Sequence, residues 1–272
     1  MKSVVAAVLL TAWVCAARAG DQTASQAAQE DLDERTRIIL DVTRVNLLFT
    51  VTDKKGRFVT NLTRDDFIVR EGKRQQKILE FAAESDLPLR LAILIDTSNS
   101  VRPRFRFIQE AAIEFINSVV RPRQDKAVII SFDTAPEVQS DLTGDIEQLA
   151  NTVRQLRPGG GTALYDAIFY AARDKLMQDQ PRHKFRRAMV ILSDGEDNQS
   201  RYSRDQALEM AQKADVVIYC ISTNITRQET DGDKVLKYLA SETGGVTFFP
   251  FKVEDLAQSF ENIANELRHQ YN

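Results

Sequence analysis

Residues 88–100 read Pro-Leu-Arg-Leu-Ala-Ile-Leu-Ile-Asp-Thr-Ser-Asn-Ser. The apolar run Leu91–Ile95 has the length of a strand and no polar alternation. A strand of that kind is buried on both faces, as in a parallel sheet covered by helices. Three more runs repeat the pattern: Ala127–Phe132, Ala188–Leu192 and Val216–Ile221. Helical spacing fills the intervals. Phe105, Ile108, Ala112, Phe115 and Val119 recur at three and four residues, with Pro103 at the start and Pro122 past the end. Ile146, Leu149, Val153 and Leu156 do the same, as do Leu164, Ala167, Ile168 and Ala171. Ser203 with Gln206 forms a capping box before Ala207 and Ala211. Leu236, Leu239 and Ala240 end at Gly244-Gly245, and Leu256, Phe260, Ile263 and Leu267 mark a last helix. Strand–helix alternation predicts an α/β fold with a doubly wound, mainly parallel sheet. Only Asp133-Thr134-Ala135 separate Phe132 from the extended Pro136–Leu142, too few for a crossover. That strand is therefore expected to be antiparallel and at an edge, where its proline is tolerated.

Upstream the grammar differs. Val45, Leu47, Phe49 and Val51 alternate, as in a half-buried strand, and Asp53-Lys54-Lys55-Gly56 signals a turn. Phe58-Val59, Phe67-Ile68-Val69 and Ile78-Leu79 with Phe81 read as three more short strands, the last two joined by Glu71-Gly72-Lys73. A β region over residues 38–87 is too small to be stable alone and is expected to pack on the α/β domain of residues 88–272. Residues 20–37 lack apolar periodicity and read as a flexible linker. Residues 1–19 have a basic start, an apolar run from Val4 to Val14 and the small-x-small stretch Ala17-Arg18-Ala19, which predicts a cleaved signal peptide. Ala12-Trp13-Val14 before Cys15 do not fit a lipidation pattern. The expectation is an exported protein, periplasmic or extracellular or held peripherally at the cell envelope. It has no membrane span after cleavage.

Composition excludes several functions. Among 272 residues, 36 Lys and Arg against 39 Asp and Glu leave no basic excess for a nucleic-acid partner. Two histidines, His183 and His269, leave little room for a multi-His metal site or a Ser-His-Asp triad. Loss of Cys15 leaves Cys220 alone in an apolar run, where it reads as a small buried hydrophobe. The glycosylation triplets at Asn61, Asn198 and Asn224 are short enough to arise by chance.

In open α/β sheets ligands sit beyond the carboxyl ends of the strands. Asp96-Thr97-Ser98-Asn99-Ser100 follows the first core strand and Ser193-Asp194-Gly195-Glu196-Asp197-Asn198 follows the third, while Gly159-Gly160-Gly161-Thr162 opens a helix. Their donors are hard oxygens: carboxylates at Asp96 and Asp194 and hydroxyls at Ser98, Ser100 and Thr162. Such a set suits Mg²⁺, with Mn²⁺ or Ca²⁺ as alternatives, rather than zinc or copper. Asp166 is expected to orient a ligand water or to cap its helix; Glu196 and Asp197 are expected to be solvated surface, to hold a second cation or to contact a partner; and Asp133 is expected to shape its turn. The polar loop from Ser222 to Asp233 lies on the same edge and is a candidate for partner specificity.

Asp-x-Ser-x-Ser, Gly-Gly-Thr and Ser-Asp-Gly, in this order, resemble the metal-ion-dependent adhesion site of von Willebrand factor type A domains. The resemblance covers residues 88–270, and the β region resembles the segment that precedes this domain in a bacterial family. It implies a Rossmann-like domain in which Ser98, Ser100 and Thr162 ligate the metal directly and Asp96 and Asp194 act largely through waters. It also implies a protein ligand that offers an Asp or Glu side chain to the cation. Asn99 stands where many relatives have glycine, a change expected to be tolerated because Asn accepts a left-handed backbone. Relatives continue into another strand after a stretch like Leu267-Arg268-His269-Gln270-Tyr271, so a fragment or a shortened member is expected. A binding module is thus the leading reading. A scaffold with a vestigial site is the alternative. A Mg²⁺-dependent hydrolase ranks lower, because no acid/base set accompanies the donors.

Overall fold

A computed structural model of the chain describes residues 45, 47, 49–51, 53, 54, 59, 61–81, 83, 84, 87–178, 184–224, 226, 228–250 and 256–271. The expected signal peptide and linker, Phe58 and His183 lie outside these residues. In chain order the short strands β1 (Arg70–Glu71), β2 (Arg74–Gln75) and β3 (Ala83–Glu84) precede β4 (Leu89–Asp96), α1 (Phe105–Val119), β5 (Lys126–Phe132), β6 (Pro136–Thr143) and α2 (Ile146–Gln155). Then come α3 (Leu164–Tyr170), which runs on as a π turn over Ala171–Leu176, β7 (Arg186–Ser193), α4 (Arg204–Lys213) and β8 (Val216–Ser222). The order closes with α5 (Asp231–Ser241), β9 (Thr247–Phe248), α6 (Leu256–Arg268) and β10 (Gln270–Tyr271).

Six strands form one sheet in the order β6-β5-β4-β7-β8-β9. All pairs are parallel except β5 with β6, so Pro136–Thr143 is the antiparallel edge strand that the short Asp133–Ala135 link requires. Every residue of β4, β7 and β8 is buried, for a reason visible along the strand. Leu91, Ile93 and Ile95 point into a core with Ile108 and Phe115 of α1, Leu149 and Val153 of α2 and Phe260 and Ile263 of α6. Ala92 and Leu94 point into a second core with Ala167 and Ile168 of α3, Ala211 of α4 and Leu236 and Leu239 of α5. The missing alternation thus reflects two cores, one on each face of the sheet. Parallel register brings Asp96 level with Phe132, Ile95 with Leu192 and Ser193 with Ser222. The loops after β4, β5, β7 and β8 therefore leave one edge together. The chain runs from β4 to one side for β5 and returns to the other for β7, so the crevice beyond β4 is a topological switch point.

The small β region is less regular than its sequence pattern predicts. Pairing occurs between β1 and β2 around Gly72 and is continued by the Gln76 amide to the Val69 carbonyl at 2.9 Å. Phe67–Val69 and Ile78–Leu79 form no strands, and Ile68 and Leu79 are exposed. Among the described residues of the alternating Val45–Val51 stretch, Phe49 makes an antiparallel bridge to Tyr271 and Val51 accepts the Val59 amide at 2.8 Å. Aromatic packing replaces the expected ladder. Phe49, Phe67 and Phe81 gather around Tyr271 with ring centroids 5.2–5.7 Å apart. Tyr271 is buried, its hydroxyl donates to the Val59 carbonyl at 2.7 Å and accepts from the Leu62 amide at 3.1 Å, and β10 pairs with β3. The stretch Leu267–Tyr271 thus closes α6 and ends in the short strand β10.

Among the described residues no helix is long and apolar enough to cross a membrane. Cys220 is fully buried in β8, and burial pushes its thiol from 9 up to about 12.

Two outcomes follow from this packing. Tyr271→Phe is expected to lose about 1–2 kcal/mol in urea unfolding through its two hydroxyl bonds, and Tyr271→Ala about 3–5 kcal/mol with faster proteolysis before residue 88. In a Cys15→Ser background, Cys220 should resist a thiol reagent at pH 8 until the protein unfolds. Because its folded pKa lies above the unfolded one, its contribution to stability is intact below about 9 and declines as pH rises from there toward 12.

Candidate metal centre

Asp96 ends β4 with no solvent exposure. One carboxylate oxygen accepts the Ser98 amide at 2.8 Å, and the other accepts the Ser193 hydroxyl at 2.6 Å. The Ser193 oxygen accepts the Gly195 amide at 3.0 Å. One side chain thus ties the loop after β4 to the loop after β7. Burial pushes its carboxyl up to about 6, the bonds from Ser193 and Ser98 act against this, and the charge of Asp194 adds to it. A buried carboxylate so placed has a standing demand for positive charge.

Beyond Asp96, the hydroxyls of Ser98 and Ser100 lie 2.9 Å apart, with Ser98 buried and Ser100 exposed. The glycine run is laced to this loop. The Gly159 amide donates to Thr97 at 2.6 Å, and the Gly160 carbonyl accepts both the amide of Asn99 at 3.2 Å and its side-chain nitrogen at 3.0 Å. Asn99 does not have a left-handed backbone. Asn99 fits this position because its side chain stitches two loops, accepting Arg102 at 3.0 Å as well. Thr162 is buried at the end of that run. Its amide donates to the Asn198 side chain at 3.0 Å, and its carbonyl accepts the amides of Asn198 and Gln199. Asp194 is half-buried and accepts the Glu196 amide at 3.1 Å.

The acidic neighbours divide by role. Asp166 accepts the amides of Arg201 and Tyr202 at 2.8 and 2.9 Å, which fixes the loop before α4. Asp197 accepts the Tyr165 amide at 3.1 Å in the first turn of α3 and the Ser200 hydroxyl at 2.5 Å, so it is a helix-capping and loop-closing residue. Glu196 is exposed. Asp133 accepts the amide and hydroxyl of Thr134 and shapes its turn. It is also pressed against the glycine run, where a methyl group on Gly160, at φ +80°, would stand 2.9 Å from its carboxyl carbon.

Two features of the frame are not among the residues expected from the sequence. Ser193 holds Asp96, and its place directly before Asp194 at a strand end was a usable signal. Gly232 had none. It opens α5 against the Asp194 turn, where an added Cβ would lie 2.1 Å from the Asp194 carbonyl, and one on Gly195, at φ +81°, would lie 2.2 Å from the Gly232 carbonyl. The start of α5 is set by a capping box between Thr230 and Asp233. Asp233 is buried and also accepts Ser222 and Asn224, both at 2.6 Å. Burial acts to raise its carboxyl, but these bonds and those from Thr230 outweigh it and hold the carboxyl below its usual value.

Among the described residues no three His, Cys, Asp or Glu side chains converge on a point that could hold a metal. The donors at this edge are two carboxylates and a set of hydroxyls.

The sequence profile of the von Willebrand factor type A domain matches residues 91–266. No curated protein sequence matches the chain. Solved structures with this fold include an aerotolerance-related membrane protein from Bacteroides fragilis bearing multiple mutations to serine, 18% identical over 65% of this chain and 99% of that one, with a TM-score of 0.54. BatB from Bacteroides thetaiotaomicron is 18% identical over 66% and 98%, with a TM-score of 0.53. Proximal thread matrix protein 1 from the mussel byssus, solved with a zinc-occupied MIDAS motif, is 16% identical over 71% and 49%, with a TM-score of 0.55. At such identities the likeness is one of fold.

Gly232→Ala should cost about 2–4 kcal/mol in equilibrium unfolding, because its methyl group has only backbone to displace. Gly159→Ala, at a position with nothing within 4 Å, should cost under about 1 kcal/mol.

Proposed function

Because the chain belongs to the von Willebrand factor type A domain family, we propose that it is a binding module and not an enzyme, and that it captures a protein partner through a divalent cation at the Asp96 edge. The observation that carries this reading is the fully buried Asp96 carboxylate, bonded to both flanking loops, with the Ser98 and Ser100 hydroxyls paired just beyond it. The donor set fits a hard cation, Mg²⁺ first and Mn²⁺ or Ca²⁺ as alternatives, because all its atoms are oxygens and two are charged.

In this reading Ser98, Ser100 and Thr162 hold the ion, with Asp96 and Asp194 supplying charge close by. Bound there, the cation would supply an electrophilic position open to a partner's Asp or Glu. The chain's own residues do the remaining work. Asp96 fixes the loop through the Ser98 amide, Ser193 carries that restraint to the Asp194 turn, and Asn99 ties the loop to the glycine run. Asp166 and Asp197 keep their neighbours in place rather than orienting a ligand water. A hydrolytic role is not supported, because Asp96 is already occupied by two hydrogen bonds and Asp194 is assigned to the cation.

The wider organisation is proposed on the same footing. Residues 1–19 direct export, 20–37 link, 38–87 form the β region and 88–272 the binding domain. The protein then works outside the cytoplasm or at the cell envelope.

The test compares partner capture from a cell-envelope extract in Mg²⁺, in EDTA and with Ser100→Ala. Retention by wild type in Mg²⁺ alone is expected, with Mn²⁺ affinity lowered at least about tenfold in the variant. Ser100 is a cleaner target than Asp96. Asp96→Ala would strand the Ser98 amide and the Ser193 hydroxyl and cost about 1–3 kcal/mol of stability. A partner held equally in EDTA would refute the metal bridge and favour a scaffold with a vestigial site.

A further inference from the structure

Arg102 follows the Ser98–Ser100 loop and begins a short 3₁₀ turn, Arg102–Arg104. It is exposed, yet its guanidinium is held. One terminal nitrogen donates to the Asn99 side-chain oxygen at 3.0 Å and to the Pro158 carbonyl at 3.2 Å. These acceptors come from the two loops that frame the site, and both are neutral. Among the described residues, Nε and the other terminal nitrogen donate to no group, and no carboxylate pairs with Arg102. A planar guanidinium anchored through one nitrogen keeps donors free in a fixed orientation. Arg104, by contrast, donates to the carbonyls of Thr223 and Asn224 at 3.4 Å and lies over the Phe107 ring at 3.9 Å.

The charge balance assigns Arg102 a use. Two carboxylates, Asp96 and Asp194, match one divalent ion, and the anchored guanidinium adds a positive group beside the Ser98–Ser100 loop. Glu196 is exposed on the Asp194 turn, where it would repel an acid.

We propose that Arg102 is a specificity-determining contact: its free N–H donors take a second carboxylate of the partner, so the ligand is an acidic segment with two Asp or Glu side chains close together in sequence. The proposal rests on the metal-dependent reading and deepens it by naming the ligand class. Because the guanidinium is already ordered by Asn99 and Pro158, little side-chain entropy remains to be lost on binding.

The test uses three fluorescent peptides and the purified protein loaded with Mn²⁺, whose occupancy is followed separately by electron paramagnetic resonance. One peptide is acetyl-Gly-Asp-Gly-Asp-Gly-amide, and in the other two one or the other Asp is replaced by Asn. By anisotropy the two-acid peptide should bind roughly tenfold tighter than either single-acid peptide, as expected for one added charge-assisted contact. Arg102→Ala should erase the difference with Mn²⁺ occupancy unchanged, and Arg102→Lys should keep part of it, as a charge without the fork. Equal binding of all three peptides to wild type, or a preference that survives Arg102→Ala, overturns the proposal while leaving the metal reading intact. Two-acid binding that persists in EDTA overturns it as well, since the first acid would then need no cation. Failure to bind Mn²⁺ refutes the metal reading and this proposal with it.

Discussion

A carboxylate with no access to water stands at the centre of this architecture. Asp96 is tolerable there because its oxygens accept an amide from its own loop and a hydroxyl 97 residues further along the chain. The same two bonds join the loops after the two central strands. The parallel register makes this possible, since β4 and β7 end nearly level and at the point where the winding of the sheet reverses. The two cores cover the strands on both faces and leave the carboxyl edge as the accessible side of the sheet.

Around that carboxylate the loops approach more closely than side chains would allow. Gly195 and Gly232 meet backbone to backbone, and Gly160 lies against Asp133. Where glycine removes bulk, polar side chains supply the restraint: Asn99 to Gly160, Asn198 to Thr162, Asp197 to the start of α3 and Asp233 to Ser222 and Asn224. Most of the acidic and amide groups near the edge are therefore engaged in holding loops. The paired hydroxyls of Ser98 and Ser100 and the free donors of Arg102 stand apart from that work.

A second assembly lies toward the other end of the domain. Arg186 of β7 donates to the Leu267 carbonyl, and Arg268 donates to the Val119 carbonyl at 3.1 Å, so the end of α6 is fastened to the sheet and to α1. Immediately beyond, Tyr271 enters the aromatic cluster with Phe49, Phe67 and Phe81. The small β region thus relies on a residue from the far end of the chain for its core. Among the described residues its own strands are two residues long, too short to close a core of their own.

The sequence by itself determined the sandwich of helices and sheet, the antiparallel edge strand and the three loops that carry the oxygen donors. Each is written locally, in apolar runs without alternation, in a three-residue link and in turn residues at strand ends. Tertiary structure decided what no local pattern encodes. Asn99 serves as a stitch rather than a left-handed turn residue, because Gly160 and Arg102 come within hydrogen-bonding distance. Asp166 and Asp197 hold backbone amides because the loop after β7 folds over the start of α3. Gly232 matters only because the start of α5 is pressed onto the Asp194 turn. The predicted strands around Phe67 and Phe81 gave way to an aromatic cluster, because burying their rings against Tyr271 removes more apolar surface from water than a short exposed ladder could.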